Sequence, residues 1–323
     1  MQEVKKNIVG TLKAMLLPLV VYCIFKIIRP QTFGTLNGLY IILQQAMITI
    51  IISLAICNNM TIGIWDFSAG SIVTLVGCIC GYYFNQYGFV AMLASAIISG
   101  ILLGIINASV YTVLRIPSVV VTVGLMLIYE SFATVYKGGK GFSITKKAAV
   151  LGTAPWIFVV AGVLSIIMYY IYNRTKFGFN VKAIGNGELI AKSAGVNPRK
   201  IKFISFFIAG IYLGIAGLVN LSYGTAVAPV KNMGTLSITF DALMSVFIAI
   251  YLARVCNLVI GIVIGNFCMK LVSAGLVAIG VEGTWQQVFI GLFLLFFIGF
   301  STIKATFDNW RKKFAERKSG STN

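Results

Sequence analysis

Ten apolar runs, each long enough to cross a hydrocarbon layer as a helix, follow one another through this chain at about 13–29, 38–57, 63–84, 88–113, 118–136, 155–172, 201–221, 236–254, 257–279 and 285–303. In lipid every backbone polar group must be satisfied internally, so consecutive runs of this length leave little choice but a bundle of helices. Composition agrees: 59% of residues are hydrophobic, 11% are charged and the mean hydropathy is +0.93, outside the range of soluble globular chains. The expectation is an all-α polytopic membrane protein of about ten transmembrane helices, forming one transmembrane domain over 1–323.

The net charge of +18 does not point to nucleic acid, because the basic residues gather between the apolar runs. Lys5, Lys6 and Lys13 precede or open the first run, seven Lys or Arg lie in 174–202, and RKKFAERK lies in the basic tail at about 304–323. Ten spans put all three segments on one side, the cytoplasm, where they also meet anionic lipid headgroups. Lys137, Lys140, Lys146 and Lys147 fall on the other side as a local exception. No cleavable leader is apparent, since Arg29-Pro30 follows the first run.

The longest polar interruption is 174–202, RTKFGFNVKAIGNGELIAKSAGVNPRKIK, with one acid against its seven bases. Asn186 is expected to cap a short helix, Glu188 to sit in its first turn beside the helix dipole, and Gly195 with Pro198 to stop it. Leu189, Ile190, Ala191 and Ala194 give that helix a face that can dock a soluble partner.

Around the start of the third run, Asn58-Asn59, Gly63, Trp65-Asp66, Ser68 and Gly70-Ser71 gather polarity and glycine, which marks an interior segment beside a path or a second subunit. Asp66 and Ser68 equally suit simple capping of a helix start. Gln44, Gln45, Asn107, Asn220, Asn257, Asn266 and Gln286-Gln287 offer weak hydrogen bonds along a path for an uncharged polar solute, or knit helices together. Gly100/Gly104, Gly210/Gly214 and Gly261/Gly265 read as close helix packing within the chain. Glu130, Asp241 and Glu282 fall near run ends and only Lys270 lies deep, which gives ion coupling little support.

Several chemistries are excluded. Histidine is absent, which removes His-based triads and zinc-protease motifs, and Gly138-Gly139-Lys140-Gly141 lacks the hydroxyl residue of a nucleotide-binding loop. The six cysteines are scattered through apolar runs as small core residues, and Cys78-x-Cys80 without histidine makes a poor metal site. No catalytic, cofactor or metal site is expected.

KFGFNVKAIGNGELIAKSAGVNPRKIKF resembles the cytoplasmic coupling segment of the ribose-type ABC importer permeases, through the Gly185-Asn186 turn, Glu188, the Ala191–Gly195 run and the bases after it. GIWDFSAGS at 63–71, RIPSVVVTVG at 115–124 and WQQVFIGLFLL at 285–295 follow the family's order and spread the resemblance over nearly the whole chain. It implies the ABC importer permease fold in a bacterial inner membrane, with both termini cytoplasmic. The implied partners are an ABC ATPase bound at 186–195, a second permease and an extracytoplasmic solute-binding protein, with a monosaccharide as solute. Where the family carries a glycine-rich loop, this chain has AIYLARVCNLVIG at 249–261, which implies a divergent half of a heteromeric pair. An ion-coupled carrier and a non-transporting scaffold or receptor are the alternatives.

Overall fold

A computed structural model of the chain describes residues 2–283 together with 285, 286, 288, 289, 291 and 292. It contains helices α1 (Gln2–Ile28), α2 (Leu36–Thr61), α3 (Ala69–Tyr87), α4 (Phe89–Leu114), α5 (Ser118–Val135), α6 (Trp156–Arg174), α7 (Lys176–Asn186), α8 (Glu188–Ser193), α9 (Pro198–Gly224), α10 (Leu236–Leu252) and α11 (Leu258–Ile279). The run expected at 285–303 lies mostly outside the described residues and the tail at 304–323 wholly so. Two compact units are present, 1–275 and 276–323; in the second, the Gln286 side chain donates to Val281 O at 3.0 Å.

In the first unit, α9 lies against α2, α3 and α4, and 67% of its apolar window is buried, against 11% for the peripheral α1. The α4–α9 contact is a glycine crossing. A Cβ placed on Gly210 would stand 2.5 Å from the Gly104 Cα, and one on Gly214 2.9 Å from the Gly100 Cα. The first two small-residue pairs thus face each other across one interface, which lets the backbones touch. The third packs α11 on α10, with Gly265 against Ser245 O and Gly261 against Ala249 O.

Among the described residues, seven helices are long and apolar enough to cross a membrane, so the expected number of about ten is somewhat high. Of the three expected runs not counted, 285–303 lies mostly outside the described residues, and the other two are those of α3 and α10, for a physical reason. Gly77 of α3 lies against Gly217 of α9, and Gly81 against Leu221. Extending that register eight residues back from Gly77 sets the start of α3 opposite about residue 209, near the middle of the 27-residue α9. The 62–68 segment therefore runs non-helically into the bundle, and α3 begins inside it, at Ala69 rather than at the expected 63.

From the other end, strand β1 (Phe142–Ser143) pairs antiparallel with β2 (Ala226–Val227), and the chain then descends along α3. Phe142 packs at Gly81, and the chain passes from Val227 at Gly77 to Thr235 at Gly70, a descent of about 10 Å along the helix. α10 starts at the bottom of this descent and has only 17 residues. Lys137, Lys140, Lys146 and Lys147 are exposed on the connection around β1, while Ile144, Ala148 and Ala149 beneath them are buried. Tyr83, Tyr87 and Trp156 are exposed at the same end, the residue types that favour a membrane–water boundary.

Candidate functional site

Two interrupted helices meet inside the bundle, and each start is held by a buried carboxylate. At α3, Asp66 Oδ1 accepts from Ser68 N at 3.1 Å and from Ser68 Oγ at 2.6 Å, and Asp66 is fully buried. At α10, Glu130 Oε1 accepts from Thr235 N at 3.0 Å and Thr235 Oγ1 at 2.6 Å, while Oε2 accepts from Met233 N at 2.9 Å. Unsatisfied amides and the positive end of the helix dipole make a helix start a good place for an acid. The two starts also touch, since Gly70 N donates to Thr239 Oγ1 at 2.9 Å and a Cβ on Gly70 would lie 2.2 Å from Thr235 O. Glu130, expected near a span end, is instead 4% exposed inside the bundle, because α10 begins part-way along it.

Asp66 also belongs to a side-chain relay across four helices. Ser205 Oγ of α9 donates to Asn59 Oδ1 of α2, and Asn59 Nδ2 donates to Asp66 Oδ2 at 3.4 Å. Ser68 Oγ accepts from Asn107 Nδ2 of α4 at 2.7 Å, and Asn107 Oδ1 accepts from Tyr129 OH of α5 at 2.7 Å. The break is pinned further by Trp65 N donating to Ser118 Oγ and Thr122 Oγ1 donating to Trp65 O. Asp66 and Ser68 thus do more than cap a helix. Asn266 is likewise buried and bonded, accepting from Ser53 Oγ and donating to Ile262 O. Gln44, which donates to Tyr40 OH, and Asn220 are half-buried, and Gln45 is exposed. Asn257 Oδ1 accepts from Val259 N at the start of α11, and Gln287 lies outside the described residues. Tyr129 and Ser205 carry no signal in the sequence, since nothing sets them apart from the other hydroxyls of their apolar runs.

The 174–202 segment folds as two helices. Thr175 caps α7 by accepting from Gly178 N, and Asn186 is the last residue of α7, not a cap for α8. Gly187 takes the N-cap place at α8, with φ 157° and no side-chain bond. Gly195 stops α8 as expected, with φ 83°, and Asn197 caps α9 ahead of Pro198. Leu189 and Ile190 are 81% and 75% exposed and Ala194 is exposed, but Ala191 is 3% exposed and faces inward, so it is absent from the apolar tip.

The segment is fastened to the bundle at two points. A Cβ on Gly185 would lie 2.3 Å from Thr61 O at the end of α2, and Lys202 Nζ of α9 meets Glu188 Oε2 at 2.9 Å. Lys182 stands 4.4 Å from the Tyr172 ring centroid and donates to Asn173 Oδ1, and burial lowers its pKa from the ordinary lysine value.

Helices that begin part-way inside an apolar bundle, with their starts satisfied by buried polar groups, define a multi-pass membrane transport component. This chain belongs to the family of branched-chain amino acid transport system permease components, whose profile matches residues 38–298. It is similar to the ribose import permease protein of Escherichia coli strain K12, 23% identical over 291 residues that cover 85% of this chain and 88% of the relative. The fructose import permease protein of Rhizobium meliloti is 26% identical over 308 residues, covering 90% of this chain and 83% of the relative. The autoinducer 2 import system permease protein of Photorhabdus luminescens is 25% identical over 290 residues, covering 87% and 86%. No solved structure matches the chain.

Proposed function

We propose that this chain is the permease subunit of an ATP-driven importer that carries a monosaccharide across the bacterial cytoplasmic membrane, with both termini in the cytoplasm. A separate ATPase docks on the Leu189–Ile190 tip, a second and non-identical permease completes the path, and an extracytoplasmic binding protein delivers the solute. The observation that carries this reading is that exposed apolar tip on a segment fastened to α2 and α9. Large apolar side chains at 81% and 75% exposure on a basic, water-facing loop call for a partner surface. The sugar class is supported by relatives whose names state import of ribose and of fructose.

In this mechanism, closure of the ATPase displaces α8. The Glu188–Lys202 pair passes the displacement to α9, and the Gly185–Thr61 contact passes it to the end of α2. Both helices carry relay residues, Ser205 and Asn59, so the motion reaches Asp66 and the start of α3.

The test is a mild-detergent pull-down from native membranes of the wild type and of a triple variant, Glu188→Ala, Leu189→Ala and Ile190→Ala. Recovery of an ATPase and a second permease with the wild type, and loss of the ATPase from the variant, supports the reading. A chain that is recovered alone and still sustains uptake refutes it and brings forward an ion-driven carrier.

A further inference from the structure

Beside the meeting point of the two interrupted helices runs a surface of a different character. Ser237, Phe240, Asp241, Phe247 and Tyr251 share one side of α10 and none of the five is fully buried, while Met244, between them on that side, is 2% exposed and forms its floor. On one flank lie Trp65 and Phe67 from the break before α3. Trp65 and Phe67 stack with centroids 6.2 Å apart and planes 13° from parallel; Trp65 meets Phe247 at 5.3 Å and Phe67 meets Phe240 at 5.9 Å. Four rings therefore form one continuous half-buried wall. On the other flank Lys270 Nζ of α11 donates to Asp241 Oδ2 at 2.7 Å, with the side chains 18% and 28% exposed.

An ion pair among apolar helices is expensive to keep, and one left partly exposed, as this one is, reads first as a functional site. Its composition restricts the ligand. The carboxylate and ammonium cancel, so the site has no net charge to hold an ion. The free carboxylate oxygen still accepts from a hydroxyl, and the ammonium has further protons to donate. Aromatic faces carry negative quadrupole density and receive the C–H face of a sugar ring, which is polar at its rim and apolar across its faces. Apolar walls with a few convergent polar groups are the usual make-up of a small-molecule site.

We propose that the Trp65–Phe67–Phe240–Phe247 wall and the Asp241–Lys270 pair form a solute subsite for an uncharged polyhydroxylated ring within the translocation path. This rests on the sugar-permease reading above and deepens it by naming the residues that meet the solute. The subsite holds weakly, through one stacking face and a self-neutralised pair, as a site on a path must if the solute is to leave.

The experiment measures initial uptake of radiolabelled D-ribose, D-fructose and D-galactose by cells carrying the complete transporter. ATPase activity of the purified complex is measured in parallel. The variants are Phe247→Ala, Phe247→Tyr, Asp241→Asn and Lys270→Met. The subsite requires that Phe247→Ala lower maximal uptake roughly three- to tenfold while ATPase stimulation by the binding protein is kept, and that Phe247→Tyr restore it. It also requires that Asp241→Asn change the ratio of rates among the three sugars. A purely structural role would lower uptake and ATPase together and leave the ratio unchanged, which overturns the subsite. A Ser237→Cys variant that reacts with a thiol reagent only when the second permease is absent also overturns it, by making this face a subunit interface. If the wild type takes up none of the sugars, the sugar reading itself fails and the subsite falls with it.

Discussion

Glu130 holds Thr235 through two contacts at once, accepting from its hydroxyl at 2.6 Å and its backbone amide at 3.0 Å, and so fixes where α10 begins. The two residues are 105 apart in the chain and both are buried. Hydrogen bonds to a charged group contribute about 1.5–3 kcal/mol, and a buried donor left without a partner costs more than a bond never formed. Glu130→Ala is therefore expected to destabilise the solubilised protein by roughly 2–4 kcal/mol. Glu130→Gln keeps an acceptor and falls between. Thermal unfolding in detergent ranks the three.

The relay through Asn107 makes a graded prediction. Tyr129→Phe removes one neutral hydrogen bond and costs about 1 kcal/mol. Asn107→Ala strips the partners of both Ser68 and Tyr129 and leaves space behind, so its cost is about 2–3 kcal/mol. An equal midpoint for the two variants would contradict the relay.

The glycines divide into two groups that substitution separates. At Gly210 an added Cβ meets the Gly104 Cα, and backbone cannot be displaced cheaply. Gly124 and Gly162 have nothing within 4 Å of the added atom. Gly210→Ala is expected to cut the yield of monodisperse protein sharply. Gly124→Ala and Gly162→Ala are expected to leave it unchanged or raise stability by up to about 1 kcal/mol, since alanine favours helix. Size-exclusion profiles of the three variants decide this.

If an ATPase docks on α8 as proposed, the Glu188–Lys202 pair predicts an effect on coupling and little on stability. Glu188 is about half exposed, and pairs of that kind contribute about 0–1 kcal/mol. Lys202→Gln is expected to leave the unfolding midpoint within a degree or two while lowering the number of solutes moved per ATP hydrolysed. The double variant with Glu188→Gln is expected to be no worse than either single change.

The sequence announces the helices well, because length and apolar continuity are local properties. The break before α3 is legible too, since Asn59, Gly63, Asp66 and Ser68 crowd polarity into a segment that lipid would reject. The descent of 226–235 is not legible, because it depends on small residues of α3 at Gly70 and Gly77 making room for it. α7 is hidden in the sequence for a related reason: Gly178 and Gly185 weaken its helical pattern, yet both are needed for close backbone contact, at Tyr172 O and Thr61 O. Asp241 and Lys270 were each visible as charges in apolar runs, but no local pattern joins residues 29 apart on different helices.

The α4–α9 crossing has one further consequence. Where Gly100, Gly104, Gly210 and Gly214 meet, no side chain stands between the two backbones, so no rotamer change can widen or narrow the gap. The pair behaves like two beams welded at mid-length. α9 starts next to α8 and α4 carries Asn107, so in the proposed mechanism a push on the first would reach the second as whole-body tilt, without the slack that interleaved side chains would introduce.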